Sequence, residues 1–411
     1  MITTPALDSP ASWVRLAACM ALSTLGGVGL WSVVVVLPAV QAEFGADRGS
    51  ASLAYTATMI GFAAGGVLMG RLSDRRGVLW PVVVGTVMLA AGYVLAGLSG
   101  SLWQFVLAQA VLIGGVGSAA TFAPLVADTS LWFRRYRGIA VALCASGNYI
   151  AGTIWPPVIQ HFVVSAGWRA TYIGAGLFCL AAMLPLAAFL RRRPPVQAME
   201  ARTVERSPAS MGVSPGALQA LLCLAGIACC AAMATPQVHI VAYCGDLGYG
   251  AARGAEMLSL MLGFGVVSRI GSGFLADRFG GLPTLLLGSV LQALALLLYV
   301  EFNSLMSLYI ISALFGLVQG GIVPSYAVVV RESFPASEAG ARIGTVLMAT
   351  ILGMAFGGWL SGAVNDLTGS YRAAFAVGVV WNALNVAIAL ALLLRRRWGS
   401  HEGLQPVPAS R

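Results

Sequence analysis

The amino-acid sequence predicts an all-α membrane protein, with twelve transmembrane helices in two pseudo-symmetric bundles of six. Composition is the first reason: 58% of the 411 residues are hydrophobic and 9% are charged, whereas a soluble domain carries about 25% charged residues. A series of apolar segments is the second, each close to the ~20 residues that cross a bilayer. The third is a pair of matching motifs that begin 203 residues apart, about half the chain.

The apolar segments give the order of the spans, which we number 1 to 12. In the N-terminal half they are residues 15–40, 52–72, 79–99, 102–127, 137–161 and 170–190. In the C-terminal half they are residues 215–243, 254–276, 281–301, 304–330, 341–365 and 372–394. The 50 glycines fit this reading, because small residues let membrane helices approach one another closely.

The longest polar break divides the chain into two domains. Residues 191–214 are rich in Arg, Pro and Ser and lack apolar periodicity, which predicts a cytoplasmic linker. Residues 1–190 would then form one six-helix bundle, and residues 215–411 a second bundle with a short cytoplasmic tail.

The basic residues predict the orientation. All 24 are arginine; 19 fall on the side of the N-terminus, four on the opposite side and one inside a span. Positive residues accumulate on the cytoplasmic side, so both termini are expected in the cytoplasm and the protein in the cell's inner membrane, in contact with lipid. This distribution argues against a nucleic-acid partner, although the net charge is +9.

The arginine inside a span is Arg269, within the apolar stretch 257–276 of span 8. A charge there costs roughly 2.5–3.5 kcal/mol on insertion scales, and arginine does not lose its proton. The position 203 residues earlier is Gly66, so the repeated scaffold does not require the charge. Arg269 is therefore a candidate binding residue for an anion; the alternative is a structural cation bonded to carbonyls or reaching toward the membrane surface.

The matching motifs follow spans 2 and 8. The first reads Gly70-Arg-Leu-Ser-Asp74-Arg75-Arg-Gly77, and the second reads Gly273-Phe-Leu-Ala-Asp277-Arg278-Phe-Gly280. Gly167-Trp-Arg169 before span 6 is likewise echoed by Gly369-Ser-Tyr-Arg372 before span 12. Two parallel repeats of six helices indicate a transporter that holds its substrate near the midplane, between the halves.

The doubled motif resembles that of the major facilitator superfamily. The resemblance implies that Gly70, Asp74, Arg75 and Gly77, with Gly273, Asp277, Arg278 and Gly280, form a motif that braces helices and gates the cytoplasmic side. Trp132-Phe-Arg-Arg-Tyr-Arg-Gly-Ile-Ala140, Pro156-Pro157 and Pro236-Gln-Val-His-Ile240 look like the monocarboxylate porter group, which includes bacterial carboxylate transporters and an oxalate–formate exchanger. In that group an arginine of span 8 holds the substrate carboxylate, and Arg269 matches its position.

The chain departs from that group in the residues around this arginine. Proton symporters of the group commonly have an aspartate one turn earlier, where this chain has Gly265, and the chain has no lysine. A single fixed cation favours a monoanion over a dicarboxylate. His239 in span 7 is a further candidate for substrate binding, and if a proton is carried, the candidates are His239, since a histidine titrates near neutral pH, and the substrate itself. The alternative for His239 is a neutral histidine hydrogen-bonded to a facing helix.

Four further polar residues are candidates for the substrate cavity: Asn148 and Tyr149 in span 5, and Gln319 and Tyr326 in span 10. Each could instead join helices by hydrogen bonds. The cysteines have no metal-ligand spacing, and no nucleotide-binding or hydrolase motif occurs, so we expect no metal, no cofactor and no enzyme activity.

These observations predict a monomeric secondary transporter of a small monocarboxylate, working by alternating access. Two alternatives stay open. One is a multidrug or cation antiporter of the same fold, which would favour acidic residues inside span 1 or span 4. The other is a transporter-like receptor that binds its ligand without moving it.

Overall fold

The computed structural model describes residues 7–192 and 213–402. This part of the chain contains twelve helical spans long and apolar enough to cross a membrane, which confirms the predicted all-α membrane fold. Residues 193–212 of the predicted linker lie outside the described residues, so the division into two domains stays a prediction.

The spans follow the predicted order. Spans 1 to 6 consist of α1 (Pro10–Gly26) with α2 (Val28–Phe44), α3 (Arg48–Arg76), α4 (Leu79–Gly97), α5 (Leu102–Leu107) with a π-helix (Ala108–Ser118) and α6 (Ala123–Trp132), α7 (Arg137–Ala166), and α8 (Trp168–Ala187) with a 3-10 turn (Ala188–Leu190). Spans 7 to 12 consist of α9 (Pro215–Asp246), α10 (Ala251–Phe279), α11 (Gly281–Glu301), α12 (Leu305–Gln319) with α13 (Ile322–Ser333), α14 (Ala336–Thr368), and α15 (Tyr371–Glu402).

Three spans differ from the continuous helices that the sequence predicts. Span 1 changes helix at Gly27, span 4 carries a π-helix and a break before Ala123, and span 10 breaks at Gly320–Gly321. Close packing at the break in span 1 requires a glycine, since a Cβ on Gly26 would lie 2.1 Å from Thr121 Oγ1 of span 4. Hydropathy does not detect such breaks because the interrupted segments stay apolar throughout.

The two halves repeat a contact at equivalent positions. Arg169 Nη1 donates to the Gly97 carbonyl at 2.8 Å, where span 6 begins beside the end of span 3. Arg372 Nε donates to the Val300 carbonyl at 2.6 Å, where span 12 begins beside the end of span 9. Both residues of the second pair lie 203 positions after those of the first, so the predicted repeat extends to individual hydrogen bonds.

At the arginine-poor side of the membrane, ionic contacts join the N-terminal and C-terminal spans. The Asp366 carboxylate at the end of span 11 accepts from the backbone N–H of Arg48 at 2.9 Å and of Gly49 at 2.6 Å. A carboxylate is favourable there, because the N-terminus of a helix carries partial positive charge and unpaired N–H groups. The Arg48 side chain also pairs with Asp246 of span 7 at 2.5 Å. These contacts close the arginine-poor side, and we call them the ionic gate.

The doubled motif lies at the opposite, arginine-rich side. Asp74, Arg75, Asp277 and Arg278 are all exposed. No ion pair within residues 7–192 and 213–402 includes them. Among the described side chains, the ion pair that joins the two halves thus lies at the arginine-poor side.

We expect Asp366→Asn to open the ionic gate. The substitution weakens hydrogen bonds to a charged acceptor, which contribute about 1.5–3 kcal/mol each, so the closed state should lose roughly tenfold or more in population. A cysteine in place of Thr56 reports on opening, because the Thr56 hydroxyl donates to the Ala355 carbonyl across the halves at 2.7 Å. The rate at which an impermeant maleimide labels this cysteine should rise.

Asp47→Asn is the matched control for this test. Asp47 caps the same helix, accepting from Ser50 N–H at 2.6 Å, but makes this contact within its own half. It should therefore leave the labelling rate unchanged. Equal labelling of the two variants would contradict the gate.

Candidate substrate site

Arg269 lies between the two halves. It sits ten residues before the end of α10, about 15 Å of helix rise from the arginine-rich end of span 8. Its Nε donates to the Gly320 carbonyl at 3.4 Å, and its Nη1 donates to the Ala145 carbonyl of span 5 at 3.2 Å. Gly320 follows the last residue of α12, and the C-terminus of a helix has partial negative charge that favours a cation.

The ring of Tyr149 covers the guanidinium of Arg269. The Arg269 Cζ atom lies 4.2 Å from the ring centroid, a cation–π distance. The same ring packs against Gly265, one turn before Arg269: a Cβ there would lie 2.5 Å from Tyr149 Cε1. The aspartate that proton symporters of the resembled group carry at this position would have to displace the ring. Tyr149 of the N-terminal half therefore occupies the space beside the arginine of the C-terminal half.

The contacts of Arg269 leave its charge uncompensated. No carboxylate of the described residues forms an ion pair with it. Two of the five guanidinium N–H donors bond to the carbonyls above. The side chain is half-buried rather than enclosed. The remaining donors can therefore bind an anion that enters from the space between the halves.

A second arginine inside the helix bundle shows what a structural cation looks like in this protein. Arg15 of span 1 is 4% exposed and binds the Asp128 carboxylate through Nε at 2.8 Å and Nη2 at 3.0 Å. Its Nη1 donates to the Phe189 carbonyl at 3.1 Å, and its guanidinium lies 4.4 Å from the Trp132 ring centroid. Burial of a charge is tolerated when it is paired and hydrogen-bonded in this way. Arg269 has no such carboxylate among the described residues, so its surroundings differ from those of a paired structural arginine.

Asn148 and His239 each form hydrogen bonds with residues other than Arg269. The Asn148 carbonyl accepts from Trp31 Nε1 at 3.0 Å, and its side-chain oxygen lies 3.2 Å from the same nitrogen, which joins spans 1 and 5. His239 Nε2 lies 2.8 Å from the Gly358 carbonyl, and Nδ1 lies 3.2 Å from the Tyr371 hydroxyl. Since a carbonyl only accepts, we assign the proton to Nε2, and Nδ1 then accepts from the hydroxyl.

Gln319 and Tyr326 are buried in span 10. Gln319 accepts from Gln237 of span 7 at 2.7 Å and directly precedes the Gly320 carbonyl that binds Arg269. The Tyr326 hydroxyl donates to Asn385 at 2.7 Å, and Asn385 in turn donates to Ser289 at 2.7 Å. The structure thus brings Tyr149 to Arg269 and places Gln319 beside its contact. Asn148, His239 and Tyr326 lie in separate hydrogen-bonded groups.

Sequence reasoning missed the groups that hold the guanidinium. The Ala145 carbonyl is a backbone group, so no residue type in the sequence indicates its role. The pair Gly320–Gly321 inside an apolar segment does indicate a helix break in the sequence. The packing of Tyr149 on Gly265 has no signal in one sequence, because the two residues are more than a hundred positions apart.

The twelve spans, the internal repeat and the charged site between the halves define a membrane transporter. The family model of the Major Facilitator Superfamily matches residues 19–298 and 257–407. The chain therefore belongs to the Major Facilitator Superfamily, as its doubled motif predicts. The relatives of this chain belong to a class of transporters rather than to a class of enzymes.

The names of individual relatives refer to different transported compounds. Monocarboxylate transporter 13 of Rattus norvegicus is 28% identical over 80% of this chain and 77% of its own length. The agnestins efflux protein AgnL12 of Paecilomyces divaricatus is 24% identical over 75% of this chain and 70% of its own. Among solved structures, a bacterial homologue of the human lysosomal transporter Spinster, inward-facing and unoccupied, matches with a TM-score of 0.72 over 98% of this chain and 100% of its own at 14% identity.

We expect Gly265→Ala to disturb the site through Tyr149. The added methyl meets the ring at 2.5 Å, so the ring must move off Arg269. Overpacking of this kind costs about 1–3 kcal/mol of stability, and ligand affinity should fall with it. Both quantities can be measured on the purified protein, by thermal unfolding and by carboxylate titration.

Gly263→Ala is the matched control on the same helix. A Cβ at 263 would lie 3.4 Å from Thr153 Cγ2, an ordinary contact, so stability and affinity should stay near those of the wild type. Unchanged affinity in Gly265→Ala would show that the position of the Tyr149 ring does not matter for binding.

Proposed function

We propose that the protein is a secondary active transporter of a small organic monoanion, a monocarboxylate, and that Arg269 binds the carboxylate. One observation carries the proposal: a permanent cation in span 8, between the halves, lacks a carboxylate partner among the described residues. Arginine suits this role because its planar donors match the two oxygens of a carboxylate.

The charge of the site supports a monoanion. A single guanidinium balances one negative charge, and the sequence has no lysine to balance a second. The surroundings of Arg269 are the Tyr149 ring and backbone carbonyls, which carry no net charge. A substrate with one carboxylate and an aliphatic or aromatic body fits such a site, as does the name of the rat relative, monocarboxylate transporter 13.

The positions of the contacts between the halves support alternating access as the transport mechanism. Arg269 itself contacts both halves, through Ala145 and Tyr149 on one side and Gly320 on the other. A carboxylate that takes over donors of Arg269 would alter this junction, while the ionic gate at Asp366 opens or closes the arginine-poor side. In the proposed cycle the halves rock about the bound anion. The gating role of the doubled motif, with the arginine-rich side in the cytoplasm, belongs to the same proposal.

A second candidate is an exporter of larger organic molecules, a form of the multidrug alternative. The relative named as an agnestins efflux protein favours it. An exporter would bind bulky amphiphiles more tightly than small carboxylates. A receptor that does not transport is a third candidate, and counterflow in proteoliposomes separates it, since a receptor binds the anion but exchanges none.

We expect Arg269→Gln and Arg269→Lys to weaken carboxylate binding strongly. Removal of a charge-assisted hydrogen bond costs about 1.5–3 kcal/mol, which corresponds to a loss of about 10- to 100-fold in affinity. A thermal-shift screen against mono- and dicarboxylates measures this, because a ligand that binds only the folded protein raises its unfolding temperature. Monocarboxylates should stabilise the wild type more than dicarboxylates.

Arg278→Gln is the control for that screen. It removes one positive charge from the end of the same helix, where the side chain is exposed. Affinity should stay within about twofold of the wild type, since exposed charges contribute little. Normal affinity in both Arg269 variants would refute the proposed site.

We assign proton coupling, within this proposal, to His239. No acidic residue in the described part of the chain pairs with Arg269. His239 is bonded to Tyr371, whose ring centroid lies 6.0 Å from the Arg48 guanidinium of the ionic gate. Tyr243 packs against Tyr371 on the same side, with ring centroids 5.4 Å apart. A proton on Nδ1 would remove the acceptor of the Tyr371 hydroxyl and add a positive charge behind the gate.

We expect His239→Gln to alter the pH dependence of uptake, because a glutamine side chain does not take up a proton at this position. Glutamine keeps one donor and one acceptor, so the helix contacts can persist. His161→Gln is the control, because His161 is exposed near the end of span 5. A pH profile of His239→Gln that matches the wild type would exclude His239 from coupling, whatever the outcome at Arg269.

A further inference from the structure

A groove faces the lipid between spans 7 and 12, near the arginine-rich side. Its cavity of about 340 Å³ is lined by Leu221 of α9 and by residues of α15 that recur every three or four positions: Ala387, Ile388, Ala391, Leu392 and Arg395. Ala387 and Ala391 are exposed, and their small side chains leave the space open. Every lining residue except Arg395 is apolar, so the groove accommodates a hydrocarbon chain and places one cation at its end.

Arg395 differs in its contacts from the next residue along the helix. Arg396 Nη1 binds the Glu332 carboxylate at 2.9 Å. Arg395 points away from that pair into the groove, is exposed, and has no ion-pair partner among the residues that the structure describes. Its charge is therefore available to an anion at the membrane surface.

The N-terminus of α9 lies at about the same membrane depth as Arg395. Measured from the groove toward the arginine-rich side, Arg395 lies four residues after Ala391, about 6 Å of helix rise. In the same direction, Pro215 at the start of α9 lies six residues before Leu221, about 9 Å of helix rise. The first turn of α9 is exposed from Pro215 to Ala217. Pro215 has no N–H and the Ala217 N–H already donates to Ser214 Oγ at 3.3 Å, so the contribution of this terminus is the partial positive charge of the helix, which favours an anion. The mouth of the apolar groove is thus flanked by a cation and a helix N-terminus.

We propose that this groove binds an anionic phospholipid of the leaflet at the arginine-rich side. The acyl chain lies along Leu221, Ile388 and Leu392, and the headgroup phosphate contacts Arg395 and the first turn of α9. The choice of occupant rests on charge complementarity, since basic pockets between transmembrane helices are suited to anionic headgroups. The site is independent of Arg269 and of the substrate that it binds.

Titration of the delipidated, purified protein with phosphatidylglycerol or phosphatidylcholine of the same acyl chains tests this proposal. Native mass spectrometry gives the number of lipids retained, and thermal unfolding gives the stabilisation. Phosphatidylglycerol should bind at one site per chain and raise the unfolding temperature more than phosphatidylcholine. Arg395→Gln should weaken phosphatidylglycerol binding about fivefold. Ala391→Trp, which fills the groove without changing the charge, should also displace the lipid.

Arg331→Gln is the matched control, because Arg331 is an exposed arginine in the last turn of α13 at the same side of the membrane. It should retain the lipid. Equal binding of the two lipids, or an equal loss in Arg331→Gln and Arg395→Gln, would overturn the site. So would lipid binding that appears only after proteolysis between residues 193 and 212, since the chain's own linker would then fill the groove. Dimers in the mass spectra that the lipid dissociates would point instead to a second copy.

Discussion

The structure depends on how the charge of Arg269 is held inside the membrane. Two backbone carbonyls and the face of Tyr149 hold the guanidinium, and together they carry no charge that could neutralise it. These contacts come from spans 5 and 10, and both the break in span 10 and the close packing of Tyr149 on Gly265 help to place them. A cation that is positioned but not neutralised is suited to bind an anion that comes and goes.

The comparison with Arg15 shows that the fold can neutralise an arginine where it needs a structural one. Arg15 has a bidentate carboxylate, carbonyls and an aromatic face, and it is almost fully buried. Arg269 has an aromatic face and carbonyls without the carboxylate. The chain departs here from the proton symporters that it resembles. Those proteins carry an aspartate at the position of Gly265, and in this protein the Tyr149 ring occupies the space that such a side chain would need. Coupling, if it involves a protein group, must therefore use a residue away from the arginine.

The contacts between the halves connect this site to a conformational cycle. Asp366 and Asp246 bind the start of span 2 at the arginine-poor side, while the charged residues of the doubled motif are exposed at the other. His239 lies behind the ionic gate, bonded to Tyr371 and Gly358. The contacts of Arg269 and of the ionic gate thus join the two halves, whereas the contacts of His239 lie within the C-terminal half.

The sequence by itself determined the number of spans, their order, the repeat and the position of the membrane-embedded cation. Hydropathy, arginine counts and motif spacing are local or periodic signals, and each can be read along the chain. Only the tertiary structure decided which polar residues meet Arg269. Tyr149 reaches it and Tyr326 binds Asn385 instead, although both are tyrosines in apolar spans. The reason is physical: the partners of a side chain are set by helix rotation and by close approaches at glycines such as Gly265, which involve residues far apart in sequence.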